Sequence, residues 1–445
     1  MNTPVVDFIK EYSEKNTVRL HVPGHKGKGE SFSAFDITEI DGADVLYRET
    51  GILKESQENA SGLFRTGKTV YSAEGSSLSI RAMAALVKMY AEGKGEKPVI
   101  AAGRNAHKVF MTATALLGIE VRWIYPEKKG AVVSAEFSAE YLESFLDSLE
   151  ELPTAVYVTS PDYLGNIADI KGFSEICRKK GVLLICDNAH GAYLRFLGED
   201  SHPISLGADM CCDSAHKTLP VLTGGGYLHI SENAPESLRN NAEKAFSLFS
   251  STSPSYLILR SLDEFNGMAD KYKSELNDTV RQVSCLKNKL SEVGFCLFGN
   301  EPLKLTIAAK DYGYSGNALA EILRKKGFEC EFSDPDFVVL MFTPAVSGEE
   351  INALQKALLS VEKKEAIKDT VPAVSPSERV LSVKDALFMP SENIPVREAV
   401  GRILASPSVS CPPAVPVSIC GERLTEAAIS LFKYYGIEAV NVILE

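Results

Sequence analysis

VLLICDNAHGAY, residues Val182 to Tyr193, is the stretch on which the fold turns. Its apolar run has no polar alternation and stops abruptly at Asp187, the pattern of a strand buried on both faces. Working outward, the preceding chain repeats the same unit. Helical spacing in GFSEICRKKG, SAEYLESFLDSL, AHKVFMTATALLG and SLSIRAMAALVKMYAEG alternates with the strand-like runs TAVYVTS, EVRWIY and KPVIAA. This alternation, from about Val70 to Ile230, predicts an α/β fold with a mainly parallel sheet covered on both faces. Such sheets hold ligands outside the carboxyl ends of their strands, so the residues that carry chemistry are expected just after each strand.

Beyond Ile230 the character changes. A long polar helical region is expected over Asn233 to Glu292. PLKLTIAA, the helix SGNALAEILRKKG, CEFSD and FVVLMF then predict a smaller α/β domain. KKEAIKDTVPAVSPSE mixes charges and prolines without an apolar period and reads as a linker. After it, helix VREAVGRIL, the proline-rich SCPPAVPVSICGE and a final helix and strand predict a third, α+β unit. The expected boundaries are an N-terminal arm over 1–30, a large domain over 31–265 and a small domain over 266–365. A linker over 366–378 and a C-terminal domain over 379–445 follow.

Composition narrows the function. Across 445 residues, 45% hydrophobic and 24% charged content suits a globular protein with a large core. A net charge of -12 argues against nucleic acid or an anionic membrane as the main partner. It fits small cationic substrates, although acidic cytosolic enzymes are common. No apolar run reaches the length of a membrane helix. The N-terminal MNTPVVDFIKEYSEKN has early acids and no apolar centre, so it reads as a short amphipathic helix rather than a secretory signal. Nine cysteines, an odd number without framework spacing, predict reduced, buried thiols in the cytoplasm. Cys211 and Cys212 lack the spacing of a zinc site and are expected to pack in the core, with no metal.

Four signals fall at strand ends. In SAEGSSLSI, Gly75 leads into Ser76 and Ser77 at a helix start, where free N–H groups and hydroxyls favour an anion. An ordinary serine N-cap is the competing account. GRNAHKVF places His107 near the next helix start, where its ring could lie on a bound heterocycle. In VLLICDNAHGAY, Asp187 ends a buried strand and His190 follows. A carboxylate there needs a fixed cationic partner, which a structural salt bridge would also supply. Last, DSAHKTLP sets Lys217 behind Ser214 and His216, ahead of the glycine run LTGGGY; that small, weakly polar company raises the question whether the lysine is a solvated charge or forms a covalent bond.

Together these stretches resemble the fold-type I pyridoxal 5'-phosphate enzymes and, within them, the Orn/Lys/Arg decarboxylase family in its short bacterial forms. HVPGHKG (His21 to Gly27), DNAHGAY, SAHKTL and STSPSYLILRSLD (Ser251 to Asp263) carry the resemblance, which spans nearly the whole chain. HVPGHKG separates the chain from common aminotransferases. The resemblance implies an aspartate aminotransferase-like large domain and decarboxylation of a basic L-amino acid, arginine favoured and lysine or ornithine next. It implies that Lys217 bonds to the cofactor aldehyde and that Asp187 pairs with the ring nitrogen. His107 stacks on the ring, while Gly75, Ser76, Ser77, Ser214 and His216 hold the phosphate. Lys217 or His216 returns the proton to the α-carbon, and His190 supports the O3' side or the substrate end. Thr252 and Ser253 reach the phosphate of a neighbouring subunit, implying a homodimer or higher homo-oligomer with shared sites.

The chain also departs from the family pattern. Asn188 stands where the family often has an acid. Leu46 and Tyr47, in DVLYRETGILKESQ, replace a histidine often found there. CPPAVPVSICGE carries Cys411 and Ala414 in a stretch that usually reads differently. An aminotransferase or lyase on the same fold is the enzymatic alternative, but DFVVLMFTPAVS has no arginine to clamp an α-carboxylate. A non-catalytic cofactor-binding homologue is the other.

Overall fold

Seven strands make up the large sheet: β1 (Lys68–Ser72), β2 (Val99–Gly103), β3 (Glu120–Ile124), β4 (Ala155–Thr159), β5 (Leu183–Asp187), β6 (Met210–Asp213) and β7 (Gly226–Ile230). The computed structural model describes residues 1–444 except 16, 49, 128–133, 135, 370, 373–375 and 408–414. Cys411 and Ala414 therefore lie outside the described residues.

The chain divides into two compact units. The first comprises Met1–Pro98, Pro153–Ser160 and Ile170–Glu275. Its strands run in the order β1-β7-β6-β5-β4. β4, β5 and β6 are parallel, as the uninterrupted apolar runs predict, and every residue of β5 is buried. KTVYS and GYLHI, at the two ends of the alternating stretch, form β1 and β7, and both pair antiparallel. The link from β6 to β7 holds only the short helix Ala215–Thr218, too little for the crossover that a parallel pair requires. Helix Gly75–Gly93 covers β6 and β7 with Leu78, Ala82, Ala85 and Leu86, whose spacing puts them on one helical face.

The second unit comprises Val99–Leu152, Pro161–Asp169 and Leu276–Glu445 and contains the parallel pair β2 and β3. Four short antiparallel strands, Leu297–Phe298, Lys304–Ala308, Phe337–Met341 and Phe332–Ser333, form a second sheet. Leu305, Ile307, Val338 and Leu340 pack there against Leu319, Leu323, Leu354 and Leu358. Strands Ser391–Pro395 and Ala439–Ile443 pair near helix Glu426–Tyr434, whose Leu431 and Phe432 join a separate apolar cluster.

Three expectations need correction. The helical region after Ile230 is broken into Glu236–Asn240, Ala242–Ser247 and Tyr256–Glu292. Pro254 disfavours helix in the residue before it, which explains the gap ahead of Tyr256. VREAVGRIL is not a helix: only Val396–Glu398 turns, and Gly401, at φ +80°, releases the chain into bridges from Ile403 and Leu404. The cysteines are not all buried, since Cys285 and Cys296 are exposed. Cys285 rides the solvent side of the long helix, and GFCLF yields a strand of Leu297–Phe298 alone. No helix among the described residues is long and apolar enough to cross a membrane.

Candidate active site

The loops that follow β1, β5 and β6 carry most of the residues singled out above. After β1 the chain turns at Gly75, whose φ of +65° is the left-handed conformation that glycine adopts without strain. Ser72 braces the turn, donating to Gly75 O and accepting from Glu74 N. Helix Gly75–Gly93 starts there with Glu74 as N-cap and no capping side chain, so the serine N-cap account fails. Its first-turn N–H groups have no partner within the helix; Gly75 N donates to Gly224 O, and the next ones are of the kind that bind anions.

The SAHK segment closes over this turn. Ser214 Oγ donates to Ser76 Oγ at 2.8 Å. The His216 ring is held by Gly225 O at 2.9 Å from Nδ1 and lies beside Gly75. Gly225 O also accepts from His216 N, and Gly224 O from Gly75 N. Gly226 must be glycine: a Cβ there would meet Asp213 O at 2.8 Å and Gly75 C at 3.0 Å. Both are backbone atoms, so nothing flexible can yield. Gly226→Ala is expected to cost about 1–3 kcal/mol of stability by overpacking. It should also weaken anion binding at Ser76, and both effects are measurable by melting with and without added phosphate.

Asp187 ends β5 at 3% exposure. Tyr157 on β4 donates to its Oδ2 at 2.9 Å, and Ala189 N reaches Oδ1 at 3.3 Å. Cys212 on β6 offers a weak thiol contact at 3.6 Å. All three donors are neutral. Among the described residues no cationic side chain pairs with Asp187, so the structural salt bridge weighed above is absent. Thr159, the register partner of Asp187, has its Oγ1 buried with no hydrogen-bond partner. A buried carboxylate without a cation and an orphaned hydroxyl on the same sheet face suit a bound cationic heterocycle. Lys217 is half-buried, with Nζ 3.0 Å from Nε2 of the buried His190.

Behind these residues lies a network that the sequence reading did not anticipate. Asp213 Oδ2 accepts from Nε2 of His202 at 3.1 Å and of His229 at 3.2 Å, and Oδ1 accepts from Asn188 Nδ2 at 2.7 Å. Burial alone would raise the Asp213 carboxyl, but the two imidazoles hold it well below the usual carboxylate range. Burial pushes His229 down despite its bond to Asp213. Cys211 lies 3.8 Å from His202 Nε2, so it belongs to this polar cluster and not to plain apolar packing. His202, Cys211 and Asp213 offer ligand atoms within 4.8 Å of one another. A metal-bound imidazole normally donates from its second nitrogen, whereas His202 Nδ1 has no hydrogen-bond partner. Hydrogen bonding accounts for the cluster better than a metal does.

The structure thus brings together Gly75, Ser76, Ser77, Ser214 and His216 around one turn, and Lys217 with His190. His107 belongs to the second unit, where it is the N-cap of helix Lys108–Leu117 and its Nδ1 accepts from Val109 N at 3.2 Å. Thr252 and Ser253 are exposed and bond to none of the cluster; their segment is tied down by Ser251 N donating to Glu74 Oε1 at 2.9 Å. Leu46 and Tyr47 are buried, and the Tyr47 hydroxyl donates to Tyr71 O. Tyr157 was legible in principle: a phenol in the buried part of a strand has to find a partner.

Comparison with known proteins gives the family. Residues 3–300 match the Orn/Lys/Arg decarboxylase major domain, and residues 361–440 match the C-terminal domain of the same family. An arginine decarboxylase of Bacillus subtilis is 30% identical over 471 residues, covering 97% of this chain and 93% of that protein. An arginine decarboxylase of Halalkalibacterium halodurans is 28% identical, with the same coverage of 97% and 93%. The lysine decarboxylase structure from Francisella novicida superposes with a TM-score of 0.81 at 16% identity, covering 99% of this chain and 81% of that one. That likeness speaks for the fold. The chain belongs to the Orn/Lys/Arg decarboxylase family and, as that family implies, is a pyridoxal 5'-phosphate-dependent amino-acid decarboxylase.

Proposed function

We propose that the protein decarboxylates a basic L-amino acid, arginine first and lysine or ornithine next, with pyridoxal 5'-phosphate held by the 31–265 segment. The observation that carries this reading is Asp187, a buried carboxylate with three neutral donors and no cationic partner among the described residues. The family match and the full-length relatives named as arginine decarboxylases support the substrate order. A net charge of -12 suits a cationic substrate.

Bound pyridoxal 5'-phosphate supplies an electron sink for the pair left behind when carbon dioxide departs. The chain's own residues do the rest. Lys217 is the covalent anchor, and its neutral form is the one that bonds. Asp187 would pair with the ring nitrogen and favour its protonated form. Ser76, Ser77, Ser214 and His216, on the Gly75 turn, would bind phosphate, and His107 would keep the ring-stacking role that the family resemblance gives it. His190, in contact with Lys217 Nζ, orients that amine, and Lys217 or His216 hands a proton to the α-carbon. Thr252 and Ser253 serve the phosphate of a second copy, which makes the working unit a homodimer or higher homo-oligomer. The eight described cysteines are free, which supports work in the reducing cytoplasm.

The test is a panel of arginine, lysine and ornithine with purified protein and added cofactor. Carbon dioxide release from arginine in excess of the other two is the expected result. Keto-acid formation without carbon dioxide points instead to transamination, and activity on none of the three rejects the substrate class.

A further inference from the structure

Asp187 is the residue on which the proposed site depends, and its carboxylate does not choose its own orientation. Tyr157 stands two residues before Thr159, the register partner of Asp187, so it lies on the same sheet face one diagonal step away. Its hydroxyl donates to Oδ2 at 2.9 Å, shorter than the contacts of Ala189 N at 3.3 Å and Cys212 Sγ at 3.6 Å with Oδ1. Burial, and then the adjacent carboxylate, push the Tyr157 phenol well above its usual range. It therefore keeps its proton and acts as a donor.

We propose that Tyr157 is a positioning residue: its hydroxyl fixes the orientation of Asp187 against the ring nitrogen of the bound cofactor. This role rests on the reading of the site given above. A hydrogen bond donated to a carboxylate favours its charged form. The proton between Asp187 and a pyridine nitrogen then stays on nitrogen. A cationic ring withdraws electrons more strongly and acidifies an imine nitrogen conjugated with it. Without the hydroxyl, both effects weaken.

Tyr157→Phe removes that hydroxyl and leaves the ring that fills the space. In protein reconstituted with pyridoxal 5'-phosphate, kcat is expected to fall about tenfold with the amino-acid KM within about twofold. The cofactor dissociation constant should rise about three- to tenfold, a size within reach of one hydrogen bond to a charged group. The midpoint of the pH-dependent visible absorbance band should move to higher pH, a change that a purely structural role would not produce. Tyr227→Phe is the control, since its hydroxyl is also buried but has no hydrogen-bond partner among the described residues. It should leave all three readings unchanged.

A Tyr157→Phe protein that matches the wild type in cofactor affinity and band midpoint overturns the role, as does one in which KM alone rises. Melting of the apoprotein is followed in parallel, and a variant that fails to fold assigns Tyr157 to structure and overturns the role as well. Wild-type protein that takes up no cofactor at position 217 is a different failure: it rejects the site reading itself, and this role with it.

Discussion

Lys217→Ala is expected to abolish covalent cofactor capture and to lower decarboxylation by at least about a thousandfold, the scale seen when a covalent residue is lost. The side chain is half-buried at the end of the Ser214–Lys217 turn, and its Nζ meets His190 Nε2 at 3.0 Å. If the lysine donates in that contact, His190 is neutral with its proton on Nδ1. Alanine at 217 leaves the Ser76–Ser214 bond and the His216–Gly225 contact untouched, so the phosphate cradle survives. The variant should therefore still bind pyridoxal 5'-phosphate reversibly, with a free-aldehyde spectrum in place of the wild-type band. Borohydride treatment followed by peptide mapping checks this directly. Wild-type protein should carry the reduced label on residue 217 and the variant none. Label on another lysine would move the covalent role elsewhere.

Asp213→Ala is expected to destabilise the first unit by about 3–5 kcal/mol, the usual penalty for breaking a buried charged network. The carboxylate receives bonds from His202, His229 and Asn188, all buried. Alanine strands those donors away from water, and each orphaned group adds its desolvation penalty. Urea unfolding followed by fluorescence measures the loss, and a change below about 1 kcal/mol would mean that the network relaxes freely. The same network has a pH signature. Because the folded Asp213 carboxyl sits below the ordinary carboxylate value, its stabilisation is complete above about pH 4. It is lost as pH falls through the folded value, so acid should destabilise the wild type more steeply than the alanine variant.

How much of this was legible beforehand follows from the range of each contact. The β5 run and the loops after it were readable because buried strands and small-residue turns announce themselves within a few positions. Lys217, Asp187 and Ser76 were found for the same reason. Strands β1 and β7 were not singled out because antiparallel pairing needs no crossover helix to mark it. Tyr157 and the Asn188–Asp213–His202–His229 network escaped because they join residues on different strands and loops, and a one-dimensional pattern carries no register between them. Asn188 was noticed only as a missing acid. The structure supplies the reason for the amide: an acid at 188 would face the buried Asp213 carboxylate, whereas Asn188 donates to it.

That amide has a mechanical consequence. Asn188 follows the residue assigned to the ring nitrogen, and Asp213 precedes the serine assigned to the phosphate; one 2.7 Å hydrogen bond joins the two. Under the roles proposed above, the bond would act as a calliper whose jaws set the gap between the two ends of a rigid, flat guest. Loosening it should blur that gap without touching either jaw, lowering discrimination between the cofactor and shorter or longer look-alikes before it lowers the rate.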